Sequence, residues 1–202
     1  MGDPAVTRTA VSLFPLSTVL FPRGPLPLRV FEPRYLDMVS RCLREDSEFG
    51  VVHIVDGPDT GEVETAAIGT LARIIDWYQG SDGILGITAQ GTHKFRLKRM
   101  SRQADGLYVG DVEILADEPE LELPAEFKPM AELLESVIDD LGRLYDSIDK
   151  HYQDSAWVGC RLAEILPMAP ADKQHCLELT DPLERLQVLR PMLRPFRRER
   201  SQ

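Results

Sequence analysis

Three cysteines, four histidines and 33 carboxylates are the side chains in this 202-residue chain best suited to covalent, acid–base or metal chemistry. None stands in a spacing that such chemistry uses. His53, His93, His151 and His175 form neither His-x-x-x-His nor His-Glu-x-x-His, the spacings that set two imidazoles on one helix face around a zinc ion. Cys42, Cys160 and Cys176 are odd in number and far apart. They form neither a zinc pattern nor a disulfide framework, and they fit a reducing cytoplasm. Cys42 falls on the apolar face of its predicted helix and reads as a buried structural thiol rather than a nucleophile. There is no Gly-x-x-x-x-Gly-Lys-Ser/Thr loop to cradle phosphates, no Gly-x-Gly-x-x-Gly and no Gly-x-Ser-x-Gly elbow. Paired acids such as Asp139-Asp140 fall on a helix surface, where solvation leaves them without the raised pKa a general acid needs. The expectation is a non-enzymatic protein with no catalytic, cofactor-binding or metal-binding residues.

The charge balance narrows the partners. The net charge is −10 and the pI about 4.9. Such a chain repels nucleic acid and anionic membrane over most of its surface. The charge is uneven, however. Residues 117–154 carry 12 acids against Lys128, Arg143 and Lys150, while Arg190–Arg200 carries five arginines against Glu199. Away from the acidic stretch, Lys94, Arg96, Lys98 and Arg99 line one predicted strand. Phe95 faces the other way, so this strand offers phosphate contacts without a stacking platform. It reads as a solvated outer face, with RNA binding kept as the alternative. No segment approaches the ~20 apolar residues that span a bilayer.

The elements that must position any site fall into two halves. Short apolar runs at Ser12–Leu16 and Leu26–Phe31 are interrupted by Pro15, Pro22, Pro25 and Pro27, which suits edges and turns. A helix follows. Pro33 takes its first turn, and Tyr35, Leu36, Val39, Cys42 and Leu43 recur at spacings of three and four. Asp46-Ser47 ends it. Phe49–Val55 reads as a buried strand and Asp56–Gly61 as a loop. Ile68–Tyr78 and Ile84–Gln90 flank a hairpin turn, and His93–Met100 and Leu107–Leu115 flank Asp105-Gly106. About six strands with one early helix predict a small closed or half-closed barrel. Past the acidic, proline-bearing join at 117–124 the pattern turns helical. One stripe runs from Met130 to Ile148, and a second helix capped by Asp154 or Ser155 presents Trp157, Leu162, Ile165 and Leu166. Ala171–Leu179 and a last helix opened by Asp181-Pro182-Leu183-Glu184 complete the half.

Phe14–Pro22 and Leu26–Tyr35 pack large apolar residues between prolines. This is either a stiff core crossing or an apolar groove with fixed walls, which loses little entropy when it takes up an extended chain. The same residues carry a resemblance. Phe14-Pro15-Leu16, Val19-Leu20-Phe21-Pro22 and Leu26-Pro27-Leu28-Arg29-Val30-Phe31-Glu32-Pro33-Arg34-Tyr35 resemble the opening of the Lon protease N-terminal, substrate-binding domain. Phe49-Gly50-Val51-Val52, Gly69-Thr70-Leu71-Ala72-Arg73-Ile74, Gly91–Leu97, Arg161–Pro167 and Asp181–Leu186 resemble its later blocks in order. Lys94 stands where that family often has arginine.

The resemblance implies an α+β fold: a PUA-like β pseudobarrel at 1–116 and a C-terminal α-helical bundle at 117–202. It looks like a stand-alone form, since neither the ATPase nor the protease signature is present. It also implies a module that binds polypeptide clients, unfolded or bound for degradation, or a separate protease or chaperone, in the cytoplasm. By motif, Glu32, Arg34, Tyr35 and Arg73 are the expected peptide-binding residues. An ionic pair of Glu32 with Arg34 or Arg73 would serve equally to tie the helix to the barrel.

Overall fold

In a computed structural model of the chain, residues 6–57 and 63–193 are described. The loop expected at 58–61 and the arginines beyond Leu193 lie outside them. The chain divides into two compact units, Met1–Asp117 and Glu118–Gln202.

The first unit holds β1 (Thr7–Leu16), β2 (Pro25–Val30), α1 (Pro33–Glu45), β3 (Phe49–Asp56), β4 (Glu64–Thr65), β5 (Ile68–Gln79), β6 (Leu85–Arg102) and β7 (Tyr108–Ile114). The sheet runs β1-β7-β6-β5-β3-β4, with β2 added on β6. Leu13–Leu16 of β1 also pair in parallel with Gly50–His53 of β3. That pairing closes β1, β7, β6, β5 and β3 into a ring and leaves β4 outside it on β3. The strands are apolar on both faces because they separate two cores. Phe14, Val51, Ala72 and Ile87 pack with Tyr35, Met38, Val39 and Cys42 of α1, while their neighbours Leu13, Val52 and Leu71 pack with Phe95.

The sequence expectation of about six strands differs from the seven found. The segments expected at 84–90 and 93–100 are one continuous β6. Gly91, which reads as a break, is there for close approach: a Cβ would lie 2.2 Å from the Phe21 carbonyl oxygen. Lys94 is a correction too. It is only 5% exposed, so the basic strand loses one cation from its solvated face. Leu43, expected on the inner face of α1, is 45% exposed.

The second unit holds α2 (Lys128–Leu141), α3 (Ser155–Ile165), α4 (Pro170–Glu178) and α5 (Pro182–Leu189). The stripe from Met130 to Ile148 is not one helix. Gly142 takes φ +53°, ψ −123°, which only glycine tolerates, and α2 stops at Leu141. A 3₁₀ turn at Gly142–Tyr145 then returns Tyr145 and Ile148 to the interior. Asp154 caps α3 by accepting from the Ala156 N–H, and Asp181 caps α5 by accepting from the Leu183 N–H. α3 is buried on every side from Trp157 to Ala163 and touches α2, α4 and α5.

Candidate functional site

The proline-bearing segments form the walls of an open cleft of about 250 Å³ in the first unit. Phe14–Ser17, at the end of β1, and Leu28–Glu32, at the end of β2, line it together with Tyr35 and Ile54. Two fastenings hold these walls in place. The buried Thr70 hydroxyl donates to the Leu20 carbonyl at 2.6 Å. The Arg23 N–H donates to the Gly91 carbonyl, and the Gly91 N–H donates back to the Gly24 carbonyl. The Gly-Thr at 69–70 and the glycine at 91 therefore set the cleft from a distance, through the turn between its walls.

Tyr35 forms the floor. Its ring stacks on Phe14 with centroids 3.9 Å apart and an interplanar angle of 16°. Burial pushes its phenol above the ordinary value, so the floor is neutral. Phe31 stands at the rim, 68% exposed. The ionic groups on the lining already have partners. Arg29 pairs with Asp82, whose carboxyl is held low by the Ile84 N–H and by the Arg29 guanidinium. Glu32 pairs with Arg34 at 2.7 Å.

Of the four residues singled out by sequence, Glu32 and Tyr35 line the cleft. Arg34 does not line it, but it braces both of them. Its guanidinium pairs with Glu32, donates to the Gly106 carbonyl at 2.8 Å and lies 4.7 Å from the Tyr35 ring centroid. Arg73 stands apart. It is exposed on β5 opposite Gln90, outside the cleft lining, and Glu32 takes Arg34 rather than Arg73 as its partner. Ile54 was not visible in the sequence as a lining residue. Only the parallel β1–β3 pairing, with Leu16 opposite His53, brings it to the cleft.

The second unit buries two arginines. Arg185 is fully buried. It grips Glu118 through two hydrogen bonds of 2.6 and 2.7 Å and donates to the carbonyls of Cys176 and Leu179. Arg161, also fully buried, pairs with Glu164 at 3.1 Å, and Glu164 accepts from the Tyr145 hydroxyl. Burial pushes the Glu164 carboxyl up against the pull of Arg161. Both clusters are closed within the fold and offer no face to a ligand. Among the described residues, no group of three or more His, Cys, Asp or Glu is placed to hold a metal ion. Cys42, Cys160 and Cys176 are buried and are not joined in disulfides.

Residues 10–194 match the model of the ATP-dependent protease La (LON) substrate-binding domain. A crystal structure of a Lon N-terminal domain protein from Xanthomonas campestris is 38% identical, with a TM-score of 0.74 over 90% of this chain and 97% of that one. A Lon protease from Xanthomonas oryzae is 26% identical over 85% of this chain and 21% of its own length. The protein cereblon of Danio rerio is 34% identical over 54% of this chain and 25% of its own length. The chain thus spans about a quarter of the length of these two curated relatives. The family match covers nearly all of the described fold, including both cleft walls, and the chain belongs to the Lon substrate-binding domain family.

Proposed function

We propose that this chain is a non-catalytic module that recognises apolar segments of polypeptide clients at the cleft between the ends of β1 and β2. The cleft carries this reading: its walls are apolar, prolines stiffen them, and its charged residues are already paired. A groove of that kind gains from burying apolar side chains and loses little by ordering itself. Membership of the substrate-binding family supports the same reading. Clients that are unfolded or bound for degradation suit it best, because folded proteins keep such segments inside. Delivery of these clients to a separate protease or chaperone belongs to the same proposal, as does a cytoplasmic location, which three cysteines outside any disulfide support. We also take 1–116 as a PUA-like pseudobarrel and 117–202 as a helical bundle, two subdomains of one Lon N-terminal-type domain. The ring closed through β1 and β3 supports the first assignment.

The test is fluorescence anisotropy with a labelled, reduced and alkylated model protein, and in parallel with a labelled single-stranded RNA. The expected result is saturable binding of the unfolded protein that weakens about tenfold in Phe31→Ala, the scale of one well-placed aromatic anchor. Salt-sensitive RNA binding with no polypeptide binding would overturn the reading.

A further inference from the structure

The residues around the cleft show a pattern that a sheet face does not produce. Side chains alternate between the two faces of a strand, so a cleft lying over a face touches every second residue. This one touches every residue from Phe14 to Ser17 and every residue from Leu28 to Glu32. Strand edges, not faces, are what bound it. The pairing of the strands agrees. β2 pairs with β6 alone, through Pro25–Val30, and among the described residues no strand lies on its other side. β1 meets β7 only as far as Leu13, opposite Tyr108. From Phe14 to Leu16 it has β3 on one side and no strand among the described residues on the other.

A free edge presents N–H and C=O groups that pair readily with another extended chain. Here prolines remove the donors at 15, 25 and 27. Leu28–Phe31 keeps all its N–H groups; those that alternate with the ones bonded to β6 face the free edge, and this stretch lines the cleft.

We propose that a client segment binds as an added β-strand along the free edge of β2 at Leu28–Val30 and on past Phe31, between that edge and the end of β1. This rests on the polypeptide-binding reading above and adds its mode and chemistry. The segment is extended, uncharged and apolar, and about four residues of it enter, matching roughly 13 Å of edge at ~3.3 Å per residue. Its alternate side chains meet Phe14, Leu16, Phe31 and Tyr35. Charged segments are disfavoured because Arg29 and Glu32 already have partners in Asp82 and Arg34.

The probe is an eight-residue uncharged peptide alternating leucine and valine with serine and threonine. It is made in a parent form and in two ester forms, each replacing the backbone N–H by oxygen at one of the two alternating sets of positions. Binding to the whole chain is read by titration calorimetry, and the location by amide hydrogen exchange. The parent is expected to slow exchange of the amides within 28–31. At least one ester form is expected to bind about tenfold more weakly, because it leaves acceptors on the edge unpaired. Two ester forms that both bind within twofold of the parent would overturn strand addition and leave the polypeptide reading standing. Slowed exchange confined to residues outside 14–17 and 28–32 would overturn the location. Absence of parent binding at millimolar peptide would overturn both readings.

Discussion

In the helical unit Arg185 is sealed from solvent and holds Glu118 through two hydrogen bonds, whereas in the β-rich unit Arg29 stands at the rim of an apolar cleft and Arg34 braces its floor from behind. The first arrangement engages all three guanidinium nitrogens inside the fold. The second sets paired charges, Arg29 and Glu32, at the border of apolar walls. A buried, satisfied ion pair fixes one conformation and offers nothing to a partner. A largely apolar surface, its charges already paired and with free backbone alongside, does the reverse. The contrast assigns stability to the charges of the helical unit and recognition to the apolar walls of the β-rich unit, and it can be broken at several points.

The largest effect is expected from Glu118→Ala. It strands the buried Arg185 and should cost the helical unit about 3–5 kcal/mol, as when one partner of a buried pair is removed. Denaturant unfolding monitored in that unit measures it, and a loss below about 1 kcal/mol, the level of a surface pair, contradicts the buried clasp. Arg34→Ala comes next. It removes a largely buried guanidinium from Glu32 and the Gly106 carbonyl, and about 1.5–3 kcal/mol of stability should go with it. Binding should fall in step with melting, which marks Arg34 as a brace rather than a contact.

Phe31→Ala reverses that signature: the melting point should hold, with stability changed by no more than about 0.5 kcal/mol, while polypeptide binding weakens. A fall in stability matching the fall in binding would move Phe31 to the structural side. The smallest effect is electrostatic. Burial raises the Glu48 carboxyl, but hydrogen bonds from Thr92 and Arg8 and the Arg8 charge outweigh it and hold the pKa below the ordinary value. A depressed folded pKa contributes stability above the unfolded value and loses it as the pH falls through the folded one. The stability difference between the wild type and Glu48→Gln should therefore be full at pH 6 and shrink on acidification below about pH 4.5, the ordinary range of the carboxyl. A difference that stays constant across that range would remove Glu48 from the network.

Much of this fold was legible because local signals and burial agree. Pro33 opening α1, Asp181-Pro182 opening α5 and the dense run of β3 each follow from neighbours in sequence. The errors arose where distant contacts decide. Gly91 reads as a strand break, yet β6 runs through it because the Phe21 carbonyl needs the space a side chain would fill. Lys94 alternates with apolar neighbours like a solvated residue and is buried. The site was half legible. Glu32 and Tyr35 lie in the cleft because they sit on the proline-walled segment itself, which is local. Arg73 is outside its lining, and Ile54 enters only through the β1–β3 pairing, which joins residues far apart in the chain.

The most direct test is amide hydrogen exchange of the whole chain with and without a saturating unfolded model polypeptide. Slowed exchange is expected to centre on the cleft-lining segments 14–17 and 28–32, with the amides of 118–193 unchanged. Protection that appears only within 118–193, or polypeptide binding that leaves 28–32 exchanging at the free rate, would contradict it.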